Sequence, residues 1–317
     1  MKFRDQLRLR LKASIPDEKI SLLPSGIQFI STVGILNLKA DLYEYKNEIC
    51  KATMELLPKT SAVWIRTGII SGKFRKPEGL EHVVGSTATE VIHNENNIRY
   101  KFDFTKIMFA KGNITERRYL PQLVKPEEIV IDMFAGIGYF SLGIAKYAKP
   151  KQIYSIELNP VSYKYLEENV RINKLDKIIT TIQGNCAEET LNLSKQGILA
   201  DRIIMGVFPA PYKYLKAAMM VVKLNPLSVN TEIETFLEKT GNKPHYDVYN
   251  TLKEIPNTIL HFEGVVMGRD FTDFYQKVQE EIEPLGFDSS IVAVRFVKSF
   301  GPKMWHLVLD LVVGLKS

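Results

Sequence analysis

The stretch "EEIVIDMFAGIGYF" (127–140) decides the fold. A short apolar run ends on Asp132, passes through Gly136 and Gly138, and enters an apolar helical pattern at 138–149. That order reads as a buried strand, a glycine turn and a helix. Working outward, the same alternation repeats. "QIYSIEL" (152–158) is a strand, and "PVSYKYLEENVRINK" (160–174) is a helix opened by a first-turn proline. "KIITTIQGN" (177–185) and "DRIIMGVF" (201–208) are strands, and "PYKYLKAAMMVVK" (211–223) is a helix. Apolar strands separated by helices of this length predict βαβ units and a parallel sheet. Residues 224–250 are polar and rich in Asn and Pro, an insertion that leaves the pattern. "NTILHFEGVVM" (257–267) resumes as a strand, followed by a helix over 269–284. "SSIVAVRFVKSF" (289–300) and "KMWHLVLDLVV" (303–313), joined by Gly-Pro, close as an antiparallel hairpin at the sheet edge.

Residues 1–125 follow other rules. A basic amphipathic start precedes "GIQFISTVGILNLK" (26–39), a helix near 41–57 and a strand in "SAVWIRTGII" (61–70). "ATEVIHNENNIRYKFDF" (88–104) places two alternating strands around a "NENN" turn. We therefore expect an α/β protein with two domains. Residues 1–122 form a smaller α+β domain, and 123–317 form a Rossmann-like catalytic domain interrupted at about 224–250.

The chain has 317 residues, 45% hydrophobic and 25% charged, with a net charge of +6. The basic balance suits a polyanionic partner without requiring one. No apolar run reaches the length of a membrane span, and the N-terminus lacks a signal-peptide core. Cys50 and Cys186 are far apart, in no metal-binding or disulfide spacing, so we expect no metal site and a reducing, cytoplasmic setting. We expect a monomer.

At the end of the first strand, Gly136 and Gly138 let the backbone approach a ligand, and the following helix offers free N–H groups. A tight strand-to-helix turn would use the same glycines. Asp132 ahead of them, and the missing third glycine of the dinucleotide fingerprint, favour a cationic ligand such as S-adenosylmethionine. Glu157 ends the second strand, where a carboxylate accepts both ribose hydroxyls; a helix N-terminal charge is the alternative. Asn185 and Cys186 follow the third strand at the adenine position, where a plain Asn turn is the alternative. Three such signals at successive strand ends point to an adenosine-type ligand. At the fourth strand end, amino-methylating enzymes of this kind carry an Asn-Pro-Pro-Tyr-type loop that holds the target nitrogen. Here Gly206 stands where that Asn belongs, and "VFPAPY" follows.

"KFDFTKIMFAKGNITERRYL" (101–120), "VIDMFAGIGYFSLGIAKYA" and "YSIELNPVSYKYLEENVRIN" resemble the family shared by the tRNA guanine-N1 methyltransferases and the aminocarboxypropyltransferases of wybutosine synthesis. The resemblance runs from about residue 90 onward and implies a class I methyltransferase-like sheet. Three features resemble the aminocarboxypropyl branch: "AKGN" (110–113) in place of Ser-Pro-Arg-Leu, "MGVFP" in place of an Asn-Pro-Pro loop, and the tail "VKSFGPKMWHLVLDL" (297–311). The cofactor contacts it implies fall on Ala110, Arg117, Glu157, Asn185 and Cys186, to which Asp132, Phe134, Gly136 and Gly206 are added from the strand ends. Ser is usual at Ala110 and Lys at Arg117; Arg117 keeps the charge to pair with a methionine carboxylate. Glu116 is the implied base or acceptor-positioning carboxylate, with a helix-terminal pairing to Arg117 and Arg118 as the alternative.

The implied reaction moves the 3-amino-3-carboxypropyl group from S-adenosylmethionine to 4-demethylwyosine, on the 3′ side of the anticodon in phenylalanine tRNA, releasing methylthioadenosine. Methyl transfer to guanine N1, a non-catalytic tRNA-binding protein of the same fold, and a small-molecule methyltransferase are the competing readings. Retention of Asp132, Gly136, Gly138 and Glu157 opposes a binding-only role. His261 and His306, on expected strands, read as structural histidines. Arg4, Arg8, Arg10, Lys12, Lys73, Arg75 and Lys76 mark a region suited to a tRNA backbone.

Overall fold

A computed structural model describes residues 1–68, 70–71, 76–227 and 256–316. The chain divides into two compact units, Met1–Phe109 and Ala110–Ser317. Segment 110–122, expected with the N-terminal domain, goes with the second unit, because Glu116 on it is ion-paired to Arg295. Lys73, Arg75 and most of the polar insertion lie outside the described residues.

In the first unit, helix α1 (Phe3–Leu11) buries Leu7 and Leu11, one turn apart, and leaves Arg4, Arg8 and Arg10 exposed. A short helix α2 (Asp17–Ile20) follows, then strands β1 (Gln28–Ile30) and β2 (Val33–Asn37) as a hairpin. Helix α3 (Lys46–Leu56) crosses over to β3 (Ala62–Arg66), which pairs parallel with β2. After the two-residue strands β4 (Ile70–Ser71) and β5 (Lys76–Pro77), β6 (Leu80–Gly85) completes a four-stranded sheet in the order β1-β2-β3-β6. Leu7, Leu11, Leu42, Ile49, Cys50, Val63 and Ile65 pack together between helices and sheet. The second hairpin is β7 (Glu90–Glu95) and β8 (Ile98–Asp103). Its turn residues Asn96 and Asn97 have φ of 49° and 56°, the left-handed pair a tight hairpin turn demands.

The second unit opens with helix α4 (Ile114–Tyr119). It continues with β9 (Ile129–Asp132), α5 (Ser141–Tyr147), β10 (Gln152–Glu157), α6 (Pro160–Ile172) and β11 (Ile179–Gln183). Helix α7 (Cys186–Lys195), β12 (Arg202–Met205), α8 (Leu215–Met219), β13 (Thr258–Met267), α9 (Thr272–Ile282), β14 (Phe287–Gly301) and β15 (Met304–Leu315) follow. The seven strands lie in the order β11-β10-β9-β12-β13-β15-β14, with β15 antiparallel to both neighbours. This is the expected class I methyltransferase-like sheet, with the closing hairpin at one edge.

Three local readings change. Helix α5 starts at Ser141 rather than 138, because Gly136 and Gly138 adopt φ of 59° and 94° and hold 136–140 in turns. The helix over 211–223 shrinks to a 3-10 turn (Tyr212–Tyr214) and α8. Helix α7 was not foreseen, although Asn185 caps it and Glu188 and Glu189 favour its first turn.

Candidate active site

The parallel strands β9, β10, β11 and β12 end at one edge of the sheet, where ligands of such sheets bind. Every residue singled out for the cofactor sits at that edge or against it.

Glu157, the last residue of β10, shapes the glycine loop. Its two carboxylate oxygens accept the backbone N–H groups of Gly136 (2.7 Å) and Asn159 (2.7 Å). An ionised carboxylate has about four acceptor positions, more than these backbone groups take, so Glu157 can still accept from a ligand hydroxyl. Burial pushes the Glu157 pKa up, and the N–H groups of Asn159 and Gly136 oppose that rise. Asp132 lies beneath the loop. Ser141 Oγ donates to it at 2.7 Å and the Phe134 N–H at 3.3 Å, while Ser155 Oγ bonds Ser141 Oγ at 2.7 Å. Burial raises its pKa to about 6, against the pull of the Ser141 hydroxyl. Asp132 therefore braces the loop from below, where the sequence suggested a carboxylate facing the cation.

Gly136 has a steric role as well as a conformational one. A Cβ there would lie 2.7 Å from the Tyr139 ring. Arg117 lies over the same ring, its Cζ 5.9 Å from the centroid, and donates from Nη1 to the Ala110 carbonyl at 2.9 Å. Ala110 thus contributes a backbone oxygen, and Ala110, Arg117, Tyr139, Gly136 and Glu157 form one continuous wall. Asn185 accepts the Ala187 N–H at 3.2 Å as the cap of α7, and Gly184 N–H bonds the Glu157 carbonyl at 3.1 Å. Cys186 is buried, which pushes its thiol up to about 12. Phe134 packs edge-on against Tyr214, with centroids 5.1 Å apart.

Glu116 has a partner that the sequence did not suggest. Arg295 on β14 grips its carboxylate with Nη2 (2.7 Å) and Nε (3.1 Å). The other guanidinium nitrogen binds Asp310 on β15, and Asp310 Oδ1 is 2.8 Å from His261 Nδ1. His261 Nε2 lies 3.4 Å from Glu263 Oε1, and His306 Nε2 lies 3.3 Å from Glu263 Oε2. All six side chains are buried. Among the described residues neither ring nitrogen of His306 makes an aligned hydrogen bond, and Glu263 Oε2 is its close polar neighbour. Burial would raise Asp310, but Arg295 and His261 hold it well below the usual carboxylate range. Glu263 is likewise held at about 2, against burial, by the flanking His261 and His306. The charged pair "HFE" within an otherwise apolar strand was the available signal for this cluster.

The same cluster gives a pH dependence. Burial alone would lower the His261 pKa, but Asp310, and then Glu263, raise it from 6.5 to about 9. A raised cation pKa stabilises the fold fully below about pH 6.5, and that stabilisation fades as pH rises through 9. The span corresponds to about 3 kcal/mol. We expect the urea midpoint to fall between pH 6.5 and 9.5; a flat profile over that range would contradict the assignment.

Gly206 follows β12, whose Met205 is in register with Phe262 on β13, so Gly206 runs beside Glu263. A Cβ on Gly206 would lie 3.2 Å from the Phe140 ring and 3.3 Å from Glu263 Oε2. Among the described residues no group of three or more His, Cys, Asp or Glu side chains is arranged to hold a metal ion. No helix among them is long and apolar enough to cross a membrane.

Comparison with known proteins fits this geometry. The TRM5/TYW2 methyltransferase domain model matches residues 91–230, and the TYW2 N-terminal domain model matches 7–88. The chain is 32% identical to the tRNA(Phe) (4-demethylwyosine(37)-C(7)) aminocarboxypropyltransferase of Pyrococcus horikoshii, over 98% of this chain and 97% of that one. It is 26% identical to the tRNA (guanine(37)-N(1))-methyltransferase Trm5b of Pyrococcus abyssi, over 95% of this chain and 78% of that one. A crystal structure of P. horikoshii TYW2 in complex with MeSAdo is similar at a TM-score of 0.74 and 27% identity, covering 99% of this chain and all of that one. The chain belongs to the TRM5/TYW2 family, on its TYW2 branch.

Proposed function

We propose that this protein transfers the 3-amino-3-carboxypropyl group of S-adenosylmethionine to 4-demethylwyosine in phenylalanine tRNA, in the synthesis of wybutosine, and releases methylthioadenosine. The observation that carries the choice of group is Gly206. The methyltransferase branch needs an Asn side chain at that place to hold its target nitrogen, and here the position has no side chain and borders Phe140 and Glu263. The relative named as an aminocarboxypropyltransferase, matched over almost its whole length, supports the same reading.

The residues present fit an adenosine-type co-substrate. The Gly136 turn offers backbone where a Cβ would strike Tyr139, and Glu157 keeps acceptor positions for ribose hydroxyls. When bound, S-adenosylmethionine supplies a sulfonium whose three attached carbons are all electrophilic. The protein chooses among them by orientation. Arg117, fixed by the Ala110 carbonyl and stacked on Tyr139, directs its charge to the methionine carboxylate end. Asn185 and Cys186 close the adenine end, and Phe134 flanks the ligand from the loop. Glu116, gripped by two nitrogens of Arg295, acts as an acceptor-side positioning group more readily than as a free base.

The first unit, with Arg4, Arg8, Arg10 and Lys12 exposed on and just after α1, binds the tRNA backbone. The protein works as a cytoplasmic monomer, where the unpaired thiols Cys50 and Cys186 stay reduced. The test uses S-adenosylmethionine labelled separately in the methyl and the carboxypropyl carbons. Carboxypropyl label is expected in tRNA that carries the wyosine precursor, and in no other tRNA. Methyl label in tRNA would overturn the reading, and so would the absence of both.

A further inference from the structure

The buried cluster beside Gly206 is larger than holding three strands together requires. It joins α4, β14, β15 and β13 through Glu116, Arg295, Asp310, His261, Glu263 and His306. Three of these groups are carboxylates. Two of them, Glu116 and Asp310, are bound directly by the Arg295 guanidinium. Glu263 has neither a guanidinium nor a hydrogen bond on Oε1, and its Oε2 is the atom nearest the missing side chain of Gly206 after the Phe140 ring. An Asn at residue 206 would stand between this carboxylate and whatever occupies the strand end. Gly206 leaves only its own backbone on that side of a carboxylate that is otherwise buried.

The chemistry makes that position matter. In the transfer, an electron pair of the acceptor carbon forms the new carbon–carbon bond, and the carbon–sulfur bond breaks with its pair moving to sulfur. Positive charge thereby passes from the sulfonium to the aromatic base. It stays there until the proton on the acceptor carbon leaves to solvent water and restores aromaticity. A fixed negative charge on the acceptor side, in surroundings of low dielectric, lowers the energy of that transition state more than that of the ground state.

We propose that Glu263 is the counter-charge of the acceptor side: buried in a low-dielectric site and separated from the strand end at Gly206 by no side chain of that residue, its carboxylate stabilises the positive charge that forms on the acceptor base. His261 and His306 flank the carboxylate at 3.4 and 3.3 Å, and Asp310, itself held by Arg295, fixes His261. The proposal rests on the transfer reading above and assigns a role to a residue on β13 that needs no direct contact with the base.

Glu263→Gln removes the charge and keeps the shape. In single-turnover assays with precursor tRNA and carboxypropyl-labelled co-substrate, the transfer rate is expected to fall about 10²-fold. The dissociation constants for S-adenosylmethionine and tRNA are expected to stay within about threefold. A second readout is independent of turnover: binding of tRNA carrying cationic 1-methyladenosine at the acceptor position, against adenosine there. The wild-type protein is expected to prefer the cation about tenfold, and Glu263→Gln to lose that preference. If Glu263→Gln melts too early to assay, Gly206→Ala decides, because its methyl group would cover Oε2. It should weaken the cation preference, a readout taken without S-adenosylmethionine, as well as lower the rate. A transfer rate within threefold of wild type, or an unchanged cation preference, overturns the proposal. A wild-type protein that transfers no carboxypropyl label refutes the transfer reading instead, and the two failures are thus told apart.

Discussion

Arg295→Met is expected to destabilise the second unit by about 3–5 kcal/mol, the cost of leaving buried carboxylates without their cation. Arg295 bridges Glu116 and Asp310, and all three side chains are at most 7% exposed. Removing the guanidinium leaves two carboxylates facing a thioether, and only Asp310 keeps another partner, in His261. In a unit of this size each kcal/mol is worth roughly 2–4 °C, so the melting temperature should drop by on the order of 10 °C. The double variant Arg295→Met/Glu116→Gln should recover part of the loss, because it also removes the stranded charge. A single variant that melts within 2–3 °C of wild type would mean that water, and not protein, solvates Glu116.

The second large effect concerns the cofactor wall. Glu157→Ala should weaken S-adenosylmethionine binding by about 10²-fold, roughly 2.7 kcal/mol. The variant strands the N–H groups of Gly136 and Asn159 and removes the acceptor proposed for the ribose. Isothermal calorimetry measures it directly. Glu157→Gln should fall between the two, since its carbonyl oxygen replaces one acceptor while its NH₂ opposes a loop N–H. Affinity within threefold of wild type in the Ala variant would place the ribose elsewhere.

Local pattern carried most of the fold. Strands β9 to β13 were legible because they are short apolar runs between helical periods. The β7–β8 hairpin was legible because "NENN" supplies the two residues that tolerate positive φ. The candidate site was readable where a residue sits at the end of its own strand, as Glu157 and Gly206 do. It was illegible where function is shared across the sheet. Glu116 and Arg295 are 179 residues apart, and no local pattern connects them. Tyr139 and Phe140 read as ordinary residues at a helix start, yet Tyr139 leaves no room for a side chain at residue 136 and Phe140 crowds residue 206. His261 and His306 read as structural histidines, and in the structure they belong to a charged cluster with Glu263, for which the only local sign was the charged "HFE" in an otherwise apolar strand.

The position of β15 bears on how the protein is made. It lies inside the sheet, between β13 and β14, although both precede it in the chain. On the ribosome the five parallel strands can pair as they emerge, while β14 has no partner until residues 304–315 arrive. The same strand brings Asp310 and His306 to charges already waiting on β13 and β14. A nascent chain interrupted before β15 exposes a bare sheet edge and leaves Arg295 and His261 without Asp310, and such unpaired edges mark a chain for aggregation or removal. The arrangement makes completion of synthesis a condition for closing the sheet and for assembling the buried charge cluster.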